Sequence, residues 1–204
     1  MYIIQMRVLI LTHPRSGGMS LLNYISNELN YSQYHEPFND LTEEDINTKV
    51  LMENNIVVKD FPNHIINKGY DLNDVVSKFD KVIIHRRGNH RDVAISLTYF
   101  QYGYGSNLHE TYKITDKWIK DNEDRIQLMM SDTSEMFGTI ENIKNDDCLR
   151  TSYDGIYNDK SDIPRLLKYL NIYNPRYLDI LDKRHKLQNG DIGMDDVKVK
   201  PKLI

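Results

Sequence analysis

Cysteine occurs once in these 204 residues, at Cys148, so the chain has no disulfide framework and no thiolate metal site. A basic excess is also missing. The formal net charge is −4, which excludes the broad cationic footprint of a nucleic-acid binder and makes any anion site a local one. No apolar run approaches the length that spans a bilayer. The start, Met1-Tyr2-Ile3-Ile4-Gln5, lacks the basic flank, long apolar stretch and small-residue cleavage site of a signal peptide. The histidines are scattered and form no H-x-x-x-H pair, so no metal is expected. Internal repeats and low-complexity segments are absent as well. Together these absences predict a cytoplasmic protein with neither a nucleic-acid nor a membrane partner, and they leave the oligomeric state open.

What the chain does contain is ordinary for a globular protein: 40% hydrophobic and 27% charged residues. A chain of this length buries roughly 70% of its unfolded surface, enough for a core without staples. The reading is a single domain over 1–204, with 183–204 as a C-terminal flap or tail. Strands are expected at Ile3–Thr12, Tyr31–His35, Ile56–Lys59, Lys81–His85 and Cys148–Thr151. Helices are expected at Met19–Asn30, from Thr42 onward, and at Leu72–Phe79, Asp92–Tyr102, Tyr112–Met130 and Ile163–Leu170. Glu36 to Asp40 reads as a turn. Strand alternating with helix predicts an α/β fold of three layers, a mainly parallel central sheet flanked by helices.

Two segments carry chemistry. The first is His13-Pro14-Arg15-Ser16-Gly17-Gly18-Met19-Ser20, between the first strand and the first helix. Glycine permits positive φ and close approach, so main-chain N–H groups and a helix N-terminus converge on one spot that suits phosphate or sulfate. Ser16 and Ser20 add hydroxyls, and Arg15 adds a planar charged fork. A plain strand-to-helix turn is the competing reading. The triphosphatase loop G-x-x-x-x-G-K-[ST] is excluded because no lysine follows the last glycine. The second segment, Arg86-Arg87-Gly88-Asn89 running on to Ser96, leaves another strand at its carboxyl end, where open α/β sheets bind ligands. A solvated basic turn is the alternative there.

Taken together, these residues resemble the sulfotransferases that use 3′-phosphoadenosine 5′-phosphosulfate (PAPS), in particular the bacterial and carbohydrate types. Pro14-Arg15-Ser16-Gly17-Gly18-Met19 is similar to the family's P-[KR]-[ST]-G-[TS]-[TS] loop, with Gly18 and Met19 in place of the hydroxyl pair. Arg87-Gly88-Asn89 through Ser96 is similar to its R-x-N motif and the serine of the following helix. Glu36-Pro37-Phe38, Tyr153-Asp154-Gly155-Ile156 and the segment from Lys186 to Gly193 match later family features more loosely.

The resemblance implies a P-loop-like sulfotransferase architecture and in-line sulfuryl transfer to a hydroxyl or amine of a small-molecule or carbohydrate acceptor, without a metal. It implies that Arg15 to Ser20 cradle the 5′-phosphosulfate and that Arg15 stabilises the leaving oxygen. Arg86, Arg87 and Ser96 would hold the 3′-phosphate, Tyr153 would meet the adenine, and Lys186 and Asn189 would close over the nucleotide. Glu36 is the first choice for the base, His13 the second and His35 the third. The alternatives are a P-loop-like nucleotide phosphotransferase, a non-catalytic nucleotide-binding relative, and a purely structural domain.

Overall fold

The computed structural model describes residues 5–103, 114–143 and 147–182. Five strands form one sheet in the order β2-β3-β1-β4-β5: β1 (Arg7–Thr12), β2 (Ser32–His35), β3 (Ile56–Asp60), β4 (Lys81–Arg86) and β5 (Leu149–Ser152). Every pairing is parallel. The central strand reads Arg-Val-Leu-Ile-Leu-Thr and is apolar on both sides because both faces of the sheet are covered.

The alternation of side chains sorts the core into two layers. Val8 and Ile10 join Leu21, Leu22 and Ile25 of α1 (Gly18–Leu29) and Ile163 and Leu166 of α9 (Ile163–Tyr169). Leu9 and Leu11 face the other way. They pack with Phe38 of α2 (Pro37–Asp40), Ile65 of α4 (Pro62–Asn67), Val75 and Val76 of α5 (Leu72–Ser77) and Ile140 of α8 (Glu123–Glu141). A short α3 (Glu43–Asp45) runs into a π-helical turn over Ile46–Val50. This is the three-layer α/β arrangement expected from the sequence.

Several boundaries differ from the sequence reading. The first strand begins at Arg7, where pairing with Ile56 starts; Ile3 and Ile4 lie outside the described residues. Residues 37–40 form a helical turn, set off by Glu36 in the left-handed region at φ 51°. The helix expected over Tyr112–Met130, whose first two residues lie outside the described ones, is two pieces from Asp116 onward. α7 (Asp116–Asp121) ends at Asn122, which leaves helical geometry at φ −119°, and α8 then continues to Glu141. α6 (His90–Thr98) starts two residues earlier than expected because Asn89 caps it, its side chain accepting from the N–H groups of Arg91 and Asp92. It then widens into a π-helical turn over Tyr99–Gly103. α4 and the π-helical turn at Asp154–Asn158 carried no sequence signal.

Candidate active site

β1 and β4 are neighbours, with Thr12 opposite His85. The chain leaves β1 toward β2 on one side and leaves β4 toward β5 on the other, so their carboxyl ends open the crevice of a topological switch point. The loop from His13 to Gly17 crosses that crevice. Arg15 at φ 61° and Gly17 at φ 85° turn it sharply.

Buried groups hold the loop from below. Fully buried His85 donates from Nε2 to the carbonyl of Ser16 (2.8 Å) and accepts at Nδ1 from Thr151 Oγ1 (2.9 Å). Tyr157 Oη donates to the carbonyl of Gly17 (2.7 Å), and the hydroxyls of Thr12 and Ser16 pair. With these carbonyls drawn inward, α1 opens on Gly18 and Met19, whose N–H groups have no intrahelical acceptor, and Gly17 provides no side-chain cap. The helix end is therefore available to an anion.

Two guanidinium groups meet this loop. Arg15 Nε donates to Ser96 Oγ on α6 at 2.9 Å, and its Cζ lies 5.6 Å from the Phe100 ring centre. Arg87 lies over the Tyr153 ring at 5.1 Å. That ring and Tyr157 press against the loop: a Cβ at Gly17 would stand 2.7 Å from Tyr157 Cε2 and 3.2 Å from Tyr153 Cε2. The main-chain N–H of Arg87 donates to His13 Nε2 at 2.9 Å, tying the two strand exits together.

Arg15, Ser16, Gly17, Gly18, Met19, Ser20, Arg87, Ser96 and Tyr153 thus share one edge of the sheet. Met19 is exposed there and Ser20 is buried. Arg86 is turned elsewhere, its Nη1 held by Glu141 of α8 at 3.0 Å. Tyr153 is buried between Arg87 and the Tyr157 ring, 4.8 Å away. Lys186 and Asn189 lie outside the described residues.

The candidate bases are engaged. His13 is buried and accepts from Arg87 at Nε2, so its proton is on Nδ1, facing the Pro14 carbonyl at 2.9 Å. Burial holds its pKa down at about 4, and the ring stacks on Phe137 at 4.3 Å. His13 is therefore a neutral tie between loops. Glu36 Oε1 accepts from Lys59 Nζ at 2.5 Å and lies 2.9 Å from His35 Nε2. Burial alone would raise the Glu36 pKa, but the hydrogen bonds of His35 and Lys59 and the lysine's charge outweigh it and bring it to about 2. So acidic a carboxyl is a weak proton acceptor.

Lys59 is the residue that sequence reasoning missed. It stands one residue before the end of β3, next to β1, and its side chain is only 4% exposed. Its Nζ lies 3.6 Å above the Phe61 ring. A Cβ on Gly18 would stand 3.3 Å from Lys59 Cε and 2.9 Å from Thr12 Cγ2. The missing side chain at Gly18 is the room through which the lysine reaches the loop. Burial lowers the Lys59 pKa and Glu36 counters that. The one available signal was a lysine inside the apolar run Ile56-Val57-Val58-Lys59.

No protein-family model matches the chain, and no curated protein does. Among solved structures, the mouse sulfotransferase SULT7A1 complexed with PAP is similar at 13% identity and a TM-score of 0.45, over 91% of this chain and 64% of that one. The present chain therefore spans less than two thirds of that protein's length. The sulfotransferase domain from the curacin biosynthetic pathway is similar at 12% identity and a TM-score of 0.45, over 91% of this chain and 82% of the other. Among the described residues, no group of acidic, histidine or cysteine side chains has the makings of a metal site, and no helix is long and apolar enough to cross a membrane.

Proposed function

We propose that this protein is a sulfotransferase that moves a sulfuryl group from PAPS to a hydroxyl or amine of a small-molecule or carbohydrate acceptor. The observation that carries this reading is the 2.9 Å bond from Arg15 Nε to Ser96 Oγ, which joins two segments 81 residues apart at the crevice between β1 and β4. One segment offers main-chain amides and a helix end, the other a guanidinium, as a donor with phosphate groups at two positions requires.

In this reading the amides of Gly17 to Met19 hold the 5′-phosphosulfate, and Arg87 with Ser96 meets the 3′-phosphate. As the bond between sulfur and the bridging oxygen breaks, charge collects on that oxygen. Arg15 and Lys59 are the cations placed to stabilise it. Glu36 keeps the Lys59 ammonium charged and fixed. Fixed positive groups in a largely buried site require no reorganisation during reaction, and positioning supplies the rest.

A thermal-shift series with 3′-phosphoadenosine 5′-phosphate, ATP and GTP tests the reading. The 3′-phosphorylated nucleotide should stabilise the protein at concentrations where ATP and GTP do not. Arg87→Ala should weaken its binding at least about tenfold by calorimetry, the loss of roughly 1.4 kcal/mol of charge-assisted contact. Equal stabilisation by ATP, or an unchanged affinity in Arg87→Ala, overturns the assignment.

A further inference from the structure

The ladder between β1 and β4 ends at the pair Thr12 and His85. Past that pair β1 turns into its loop. The first N–H of the β4 exit turn, that of Arg87, is then met by a side chain: His13 Nε2 accepts it at 2.9 Å. The imidazole thus extends the ladder by one bond. A carbonyl only accepts and an amide N–H only donates, so the 2.9 Å contact of Nδ1 with the Pro14 carbonyl requires the same tautomer as the Arg87 bond.

We propose that His13 is a positioning residue that aims Arg87 at the 3′-phosphate, and that through it the site selects nucleotides phosphorylated at that position. The inference rests on the sulfuryl-transfer reading above.

Three observations support it. The first is alternation. Successive side chains of an extended segment face opposite ways. Arg86 meets Glu141 of α8 at 3.0 Å, and Arg87 goes the other way, its Cζ 5.1 Å from the Tyr153 ring centre. Tyr153 Cε2 in turn lies 3.2 Å from where a Cβ on Gly17 would stand. Arg87 therefore reaches the loop while its main chain stays in line with β4, and a slip of one residue would present Arg86 instead.

The second is how the turn is held. Gly88 is exposed, and a Cβ there would meet nothing within 4 Å. Asn89 fixes the far side of the turn by capping α6, and His13 fixes the near side. Arg87 Nη2 comes no closer than 3.9 Å to Asp92 Oδ2, a loose contact that does not set the place of the guanidinium. The third is that His13 is itself braced. It is buried, and its ring stacks on Phe137 of α8 at 4.3 Å. Phe137 also meets the ring of His90, at the start of α6, at 4.2 Å, and His90 Nε2 bonds Thr133 Oγ1 at 2.6 Å. One ring of α8 thus supports the residues on both sides of the Arg87 turn.

Two substitutions separate the acceptor atom from the ring. His13→Gln brings Oε1 near the position of Nε2 and keeps the acceptor. His13→Phe keeps a ring against Phe137 and has no acceptor. Calorimetry on the full chain with 3′-phosphoadenosine 5′-phosphate and with adenosine 5′-phosphate reads the difference. His13→Phe should lose about tenfold in affinity for the bisphosphate and under about twofold for the monophosphate. His13→Gln should stay within about threefold of the unaltered protein for both. Adding Arg87→Ala to His13→Phe should cost no more than Arg87→Ala alone, because one residue acts through the other. Long-range proton–nitrogen spectra of the unaltered protein should find the His13 proton on Nδ1, a readout that needs no variant to fold. An unchanged bisphosphate affinity or equal losses for both nucleotides in His13→Phe, losses that add with Arg87→Ala, no rescue in His13→Gln, or a proton on Nε2 overturns the role of His13 and leaves the donor reading standing. An unaltered protein that binds the two nucleotides equally overturns the donor reading itself.

Discussion

Lys59 shows how much one side chain decides here. A lysine near the end of a buried strand is costly to desolvate, and the Glu36 carboxylate, the face of Phe61 and the charge of Asp60 compensate it. Glu36 adopts a left-handed backbone at φ 51° to make that contact, an uncommon conformation outside glycine, asparagine and aspartate. Glu36→Gln would leave the ammonium without its counter-charge. It should destabilise the protein by on the order of 3 kcal/mol, read from urea denaturation. Lys59→Met removes both the charge and its desolvation cost, so it should retain the fold. It should lower PAPS turnover by about 10²-fold, the scale of losing one preorganised charge-stabilising contact. A Lys59→Met protein with normal turnover would remove the lysine from the site.

At the scale of elements, the loop between β1 and α1 is shaped by its surroundings more than by its own sequence. His85 from β4 and Tyr157 from the turn after β5 each hold one loop carbonyl. Gly17 meets two demands at once, a positive φ and the absence of a Cβ against the Tyr157 ring. Gly17→Ala should therefore lower stability by about 2–3 kcal/mol, a strained backbone added to an overpacked contact. It should also weaken nucleotide binding. Gly88→Ala is the matched control, since a Cβ there meets nothing within 4 Å and its urea midpoint should not move. Equal midpoints for the two variants would mean that the loop is not clamped. The glycine pair and its place after a strand were legible in the sequence. The clamp was not, because His85 and Tyr157 lie 69 and 140 residues from the carbonyls they hold.

For the whole molecule, buried histidines set the response to acid. Burial brings the pKa of both His13 and His85 down from 6.5 to about 4. Above pH 6.5 the rings are neutral in both folded and unfolded chains, and the stability tied to them is complete. Between about 6.5 and 4 the unfolded chain binds protons that the folded one refuses, so stability falls as pH falls. Glu36, ionised down to about 2, adds a second loss at lower pH. The melting temperature should therefore drop steadily from pH 7 to pH 4.5 in calorimetry. A flat profile over that window would contradict the buried, neutral state of these rings.

Local pattern determined a good deal: the five strands, the α1 helix, the parallel three-layer arrangement and the glycine loop followed by a strand ending in arginines. Each depends on neighbours in the chain, on alternation in strands, helical spacing and turn chemistry. Which of Arg86 and Arg87 turns to the loop was decided by the tertiary structure: Arg86 meets Glu141 and Arg87 lies over Tyr153. It also gave His13 a partner in Arg87 and Glu36 partners in Lys59 and His35, and it set the Lys59 side chain against Gly18 of the loop. Those outcomes depend on burial and on partners from distant strands, and the free energy of a charged or ring-nitrogen group follows its surroundings in space rather than its place in the chain.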